Sequence, residues 1–211
     1  MAPDSPTALP DPNRRLRRYH ALSAAVFGAF LLLHIGNHLA MFAGIEQHRA
    51  AMHALRAVYR FAPVEAAIMA AAALQVASGL TMAWRRWRTG AGEGVARLQL
   101  ASGVVLALFV AIHTSAVWTG RLALGVDTDF YFAAGGFHAG YGWFFGPYYA
   151  LGVTALFVHL GCAAWWHLPA GRRGAVLALA ALVGALLGVG FAATMAASPP
   201  APSPALTGAR T

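Results

Sequence analysis

Polar and apolar positions along this chain separate into long blocks. Stretches free of Asp, Glu, Lys and Arg run over 19–45, 66–84, 98–120, 130–171 and 174–209. A bilayer-spanning helix needs about 20 apolar residues, so each block predicts one span. The fourth block is long enough for two, but Gly135, Gly136, Gly140, Gly142 and Pro147 break its first half and leave one helix from about 147 to 167. The fifth ends near 196, ahead of Pro199, Pro200, Pro202 and Pro204. The pattern predicts an all-α integral membrane protein with five transmembrane helices over 14–196, between disordered tails at 1–13 and 197–211.

The connections carry their own patterns. In 46–63, Ala51, Met52, Leu55 and Val58 recur at helical spacing against His48, Arg49, Arg56 and Arg60, which predicts a short helix lying along the outer surface. Phe130, Tyr131, Phe132, Phe137, Tyr141, Trp143, Phe144 and Phe145 suit an interfacial aromatic belt.

Composition and charge remove the main alternatives. With 59% hydrophobic and 10% charged residues among 211, an ordinary soluble domain is excluded. The formal charge is +8 and every cationic side chain is arginine, placed between the uncharged runs. That layout belongs to membrane topology, not to nucleic-acid binding. With the helices alternating, Arg14, Arg15, Arg17, Arg18, Arg85, Arg86, Arg88, Arg97, Arg172 and Arg173 fall on one side, against Arg49, Arg56, Arg60, Arg121 and Arg210 on the other. The positive-inside rule then puts the N-terminus in the cytoplasm and the C-terminus outside, with a bacterial inner membrane as the expected location. The run from 14 to 45 is too long for a signal-peptide core and reads as an uncleaved first span. Cys162 stands alone, so an internal disulfide or a thiolate cluster is ruled out.

Ionisable and amide side chains inside spans are costly and point to function. Here they are His34, Asn37 and His38 in the first helix, Gln75 in the second, His113 in the third and His159 in the fourth. A single such histidine serves equally well as a hydrogen-bonded packing residue. Depth adds to the pattern. Both His34 and His113 lie 16 residues from an arginine at the same side, Arg18 and Arg97, or about 24 Å along a helix. Gln75 and His159 lie 10 and 13 residues from Arg85 and Arg172, or about 15–20 Å. Two levels emerge, each with two polar residues from non-consecutive helices. Two neutral imidazoles facing each other at one depth suit a metal between them, and in a helical membrane core the usual form is haem iron. Gly152, Ala155, Cys162 and Ala163 beside His159, and Ala71, Ala72, Ser78 and Gly79 beside Gln75, leave room for a porphyrin or for close helix packing.

These segments together resemble the five-helix, single-polypeptide cytochrome b membrane anchor of succinate dehydrogenases and fumarate reductases. The resemblance covers roughly 14–195. It is carried by Arg17-Arg18-Tyr19-His20, His34, Glu65, Gln75 with Gly79, Leu98-Gln99, Gly103, His113, Tyr148-Tyr149, Gly152, His159 and Trp165. It implies a haem-binding four-helix core, one haem b between His34 and His113 and, in two-haem members, a second with His159 as one ligand. All three histidines are thus implied cofactor-binding and iron-ligating residues. The position opposite His159 is Gln75, a departure from the family pattern, since an amide favours hydrogen bonding over haem ligation. His159 is then left to bind iron five-coordinately, to pair with another group, or to hydrogen-bond Gln75.

The resemblance further implies electron transfer between a flavoprotein and iron–sulfur pair at the cytoplasmic face and a membrane quinone. The chain carries neither a dinucleotide fingerprint nor a cysteine cluster, so flavin and iron–sulfur chemistry would come from other polypeptides, and the resemblance implies an electron-transfer subunit without catalysis of its own. Two other readings stand beside it: a stand-alone b-type cytochrome of the same fold, and a non-haem scaffold or transporter whose histidines only cross-link helices. Among lesser candidates, His38 shares a face with His34 and is an alternative ligand or a propionate partner. Arg56 and Arg60 are candidate propionate partners. Glu65 caps the second helix or takes part in quinone and proton chemistry. His20 sits at the inner boundary without an assigned role, and His48, His53, His138 and His167 are read as solvated or interfacial.

Overall fold

A computed structural model describes residues 13–90 and 92–201. Of the expected tails, 1–12 and 202–211 lie outside the described residues. Helix α1 covers Arg14–Leu39 and tightens into a 3-10 turn at Ala40–Phe42. The others are α2 (Ile45–Tyr59), α3 (Ala62–Arg88), α4 (Val95–Trp118), α5 (Phe130–Gly136), α6 (Gly142–Trp165) and α7 (Ala170–Ala197). Wide π turns extend α4 over Thr119–Ala123 and join α5 to α6 over Phe137–Tyr141. Five segments are long and apolar enough to span a membrane: Arg14–Phe42, Ala62–Arg88, Val95–Ala123, Phe130–Trp165 and Ala170–Ala197.

The fourth span corrects the sequence expectation. Its main helix, α6, starts at Gly142 rather than near 147, with the short α5 before it from Phe130, because of the five expected breakers only Gly140 leaves the helical region, at φ 85°. Gly136 instead lets the Phe145 ring press against the backbone, where a Cβ would collide. Pro147 stays inside α6. A proline is tolerated in a spanning helix when neighbouring groups restore its lost hydrogen bond. The aromatic belt is also only partly realised. Trp143 and Tyr141 are exposed, but Phe130 is 1% exposed and belongs to the core.

Within the bundle α1 packs on α3, α3 on α4, α4 on α6 and, most extensively, α6 on α7. Small residues bring the last pair together: a Cβ on Gly188 would lie 2.7 Å from the Ala150 carbonyl oxygen, and one on Gly184 would press on Phe157. Leu32, Leu108, Leu151, Leu186 and Val189 cover the exposed faces of the spans. The connecting helices α2 and α5 share one end of the bundle, here called the α2 end; ten arginines collect at the other. A compact core of Met41, Phe130, Ala134, Val153, Phe191 and Met195 fills the α2 end. Between α1, α3, α4 and α6 the bundle is hollow, with a half-open cavity of about 1810 Å³.

Candidate functional site

That cavity exceeds the roughly 300–1,000 Å³ of an ordinary small-molecule site and runs through both polar levels. His20, His34, His38, Gln75, His113 and His159 all line it. Among the described residues no group of three or more His, Cys, Asp or Glu side chains is arranged to hold a bare metal ion.

At the level nearer the α2 end, His34 of α1 faces His113 of α4, with ring centroids 6.0 Å apart and planes at 67°. Each ring is backed by a phenylalanine one helical turn earlier. Phe30 stacks on His34 at 5.3 Å and 24°, and Phe109 on His113 at 5.5 Å and 8°. Phe109 is held in turn by Tyr148, stacked at 4.6 Å, and by Gly152, whose missing side chain admits the ring. Metal–imidazole bonds of about 2 Å on opposite sides of one ion, plus about 1 Å from each nitrogen to its ring centre, require collinear centroids roughly 6 Å apart. The separation of the pair matches that distance. His34 Nε2 also lies 3.3 Å from His38 Nε2, so one of these nitrogens carries the shared proton.

The level nearer the arginines is arranged differently. Gln75 does not reach His159. Ser23 Oγ donates to its carbonyl oxygen at 2.6 Å, and its amide nitrogen lies 3.2 Å from His20 Nε2. The other His20 nitrogen, Nδ1, bonds Ser78 Oγ at 2.8 Å, and Ser78 back-bonds to the Leu74 carbonyl. His20, given no role by the sequence, is therefore the imidazole at this level on α1. Its only sequence signal was its place in the Arg17-Arg18-Tyr19-His20 segment. His159 sits across the cavity against α4. Its Nδ1 is 3.1 Å from the Gln99 carbonyl oxygen and 3.3 Å from Ser102 Oγ, and Gly103 makes room for the ring. Anchoring one imidazole nitrogen on a carbonyl is how ligating histidines are commonly oriented.

At the α2 end two further expectations are corrected. His48 is not solvated but 2% exposed, and Arg56 is 9% exposed. The inward stripe of α2 is His48, Met52 and Arg56, while Val58 faces out. Fixing three arginines to the turn before α5 rotates the helix that way. Arg56 binds Asp127 at 2.7 Å and the Thr128 carbonyl at 2.9 Å, Arg60 binds Thr128 Oγ1 at 3.1 Å, and Arg49 pairs with Asp129 at 3.4 Å. Burial and the neighbouring Arg56 and Arg121 charges lower the Arg60 pKa from its usual value. Burial, partly offset by Asp129 and reinforced by Arg56, holds the His48 imidazole below its ordinary range and so neutral. Glu65 opens α3 as expected and is paired with Arg121. His53, His138 and His167 are exposed, in line with the solvated reading.

These features define a helical bundle, five of its helices long and apolar enough to cross a membrane, around a cavity with two polar levels. No family model, curated protein or solved structure matches the chain.

Proposed function

We propose that this chain is a membrane cytochrome b subunit that carries one haem between His34 and His113 and exchanges electrons with a membrane quinone. The supporting observation is the 6.0 Å separation of two phenyl-backed imidazoles from different helices across a cavity larger than one small ligand. His34 and His113 would hold the iron, and Phe30 and Phe109 keep their ring planes. A haem bound there supplies reversible one-electron transfer. His38, one turn from His34, would lie beside it.

A partner carrying flavin and iron–sulfur groups would dock at the arginine end, where Arg14, Arg15, Arg18, Arg85, Arg88 and Arg97 are exposed and Glu93 is the acidic side chain among the described residues. That corresponds to a succinate dehydrogenase or fumarate reductase anchor. A second reading, a stand-alone cytochrome of the same fold, is favoured by the level around Gln75. Its amide and the His20 imidazole satisfy one another and Ser23 and Ser78, leaving no free ligand facing His159. The first reading also expects a second haem only if another ligand is recruited there.

Two measurements decide. A dithionite-reduced minus oxidised spectrum of the purified chain is expected to show a b-type α-band; its absence rejects both readings in favour of a scaffold cross-linked by histidines. Purification from native membranes then separates the two, since only an anchor brings a flavoprotein and an iron–sulfur subunit with it.

A further inference from the structure

The hollow between the helices is not equally closed along its length. At the α2 end Phe42 stacks on Phe191 at 5.4 Å, and Met41 packs with Phe191 and Met195, so the end of α1 is tied to α7. Toward the arginines α1 and α6 make no extended contact among the described residues. There Ala21 and Ala24 line the hollow from one side, and Leu160 and Ala163 from the other. The arginine half is thus a cleft between two spans, open sideways, with apolar walls.

Its mouth is cationic. Arg17 of α1 and Arg85 and Arg86 of α3 line the cavity together with Asn13 and Thr89. Asn13, whose carbonyl starts the helical turn that carries Arg17, accepts from Arg85 Nη1 at 2.8 Å on its side chain. Arg86 packs against Gly92, where a Cβ would lie 3.1 Å from its Nε. By sequence this end carries ten arginines against three carboxylates, Asp4, Asp11 and Glu93, an excess of seven positive side chains. We propose that the cleft is a binding site for one anionic phospholipid, its phosphate on Arg17 and Arg86 and one acyl chain lodged between α1 and α6.

The chemistry of the occupant follows from its two ends. A cationic rim above an apolar cleft calls for an amphiphile with an anionic head. Guanidinium forks hold phosphate oxygens through paired, charge-assisted N–H bonds. Farther in, the polar side chains Ser23, Gln75, His20 and Ser78 are already bonded to one another, which leaves hydrocarbon as the filling. Half of a bilayer's hydrocarbon core is about 15 Å, or about ten residues of helix. A chain entering beside Arg17 therefore ends beside Phe27, which lines the cavity, about 10 Å short of His34. Lipid and whatever the His34 and His113 pair holds occupy separate stretches, so the proposal goes beyond the cytochrome reading and does not depend on it. Trp166 lies at the same rim, its indole N–H donating to Gln99 Oε1 at 3.1 Å, in the position of an interfacial anchor.

The test titrates the full chain in detergent micelles with dioleoyl phosphatidylglycerol or dioleoyl phosphatidylcholine and counts bound lipid by native mass spectrometry. The two lipids share their acyl chains, so a preference reads the head group. The expected result is one phosphatidylglycerol per chain, held at least about tenfold more tightly than phosphatidylcholine. Arg17→Gln combined with Arg86→Gln should remove the preference, and Ala24→Trp, which fills the cleft without a change of charge, should remove the bound lipid. Arg14→Gln combined with Arg15→Gln takes the same charge from exposed arginines that do not line the cavity and should keep the preference. Equal affinity for the two lipids in the native chain overturns the proposal, whether or not the variants fold. An equal loss from both arginine pairs also overturns it, since that marks diffuse attraction and not a site. Displacement of the lipid by equimolar oleate or inorganic phosphate would assign the rim to a fatty acid or a free anion and reject phospholipid as the occupant. Haem content measured on the same sample keeps the two ideas apart. A haem-free chain that holds the lipid would reject the cytochrome reading alone, and a haem-loaded chain without the preference would reject the lipid site alone.

Discussion

The two polar levels of the cavity contain the same kinds of side chain, yet they are bonded differently. Around Gln75, the Ser23 hydroxyl, both amide groups, both His20 nitrogens and the Ser78 hydroxyl all have protein partners. Around His34 the two facing rings do not bond each other, and beyond them Asn37, His48 and Arg56 keep bare atoms. A polar group in an apolar bundle must be satisfied from somewhere. Where the protein does so itself the residue serves as a cross-link; where it does not, water or a ligand is the remaining source. On the proposed reading the facing pair His34 and His113 forms the cofactor level, and the level around Gln75 cross-links helices.

The largest effect is expected from the facing pair. His34→Ala and His113→Ala should each remove the b-type α-band almost completely, with His159→Ala keeping most of it, as read by reduced-minus-oxidised spectra and pyridine haemochrome. Equal haem in all three variants would erase the distinction between the levels. Next comes the clamp that closes the α2 end: Arg56→Ala loses charge-assisted bonds to Asp127 and the Thr128 carbonyl. It should destabilise the protein by about 2–3 kcal/mol, seen as a lower unfolding temperature in detergent.

Gln75→Ala strips partners from Ser23 and His20 and should cost about 1–2 kcal/mol with haem per chain unchanged. Gln75→His sharpens the same point. A second haem in that variant would mean that the arginine-end level is a cofactor pocket suppressed only by the amide.

The smallest effect concerns acid. Burial lowers the His48 pKa in the folded chain, so between that value and the unfolded 6.5 the unfolded chain binds more protons. Stability is therefore held above pH 6.5 and lost as pH falls below it. A plot of unfolding temperature against pH should be shallower on the acid side for His48→Gln than for the native chain; superimposable slopes would show that His48 carries no such linkage.

Much of the candidate site was legible because helices impose fixed periods. Matching counts of 16 residues from Arg18 and Arg97 put His34 and His113 at one depth, and the structure brings them face to face. A further signal was available and unused: Phe30 and Phe109 precede these histidines by four residues each, which puts ring on ring. The partner of Gln75 was not legible. Depth counting set it opposite His159, but helix rotation turns its amide toward α1, and His20 lies near enough only because Gly79 leaves room, its would-be Cβ 3.3 Å from the ring. His48 was misread because local amphipathicity favours the apolar face inward, whereas ion pairs to a turn some 70 residues later decide how α2 is rolled.

Five long apolar helices and the relative depths of their polar residues followed from the one-dimensional order of residues, since an apolar solvent and a 1.5 Å rise constrain every helix alike. Tertiary structure decided which faces meet: the hollow between α1, α3, α4 and α6, the closed hydrogen bonding around Gln75, and the bare atoms beneath α2. Rotation and lateral packing depend on contacts between distant segments, such as Arg56 with Asp127, and no local period encodes them.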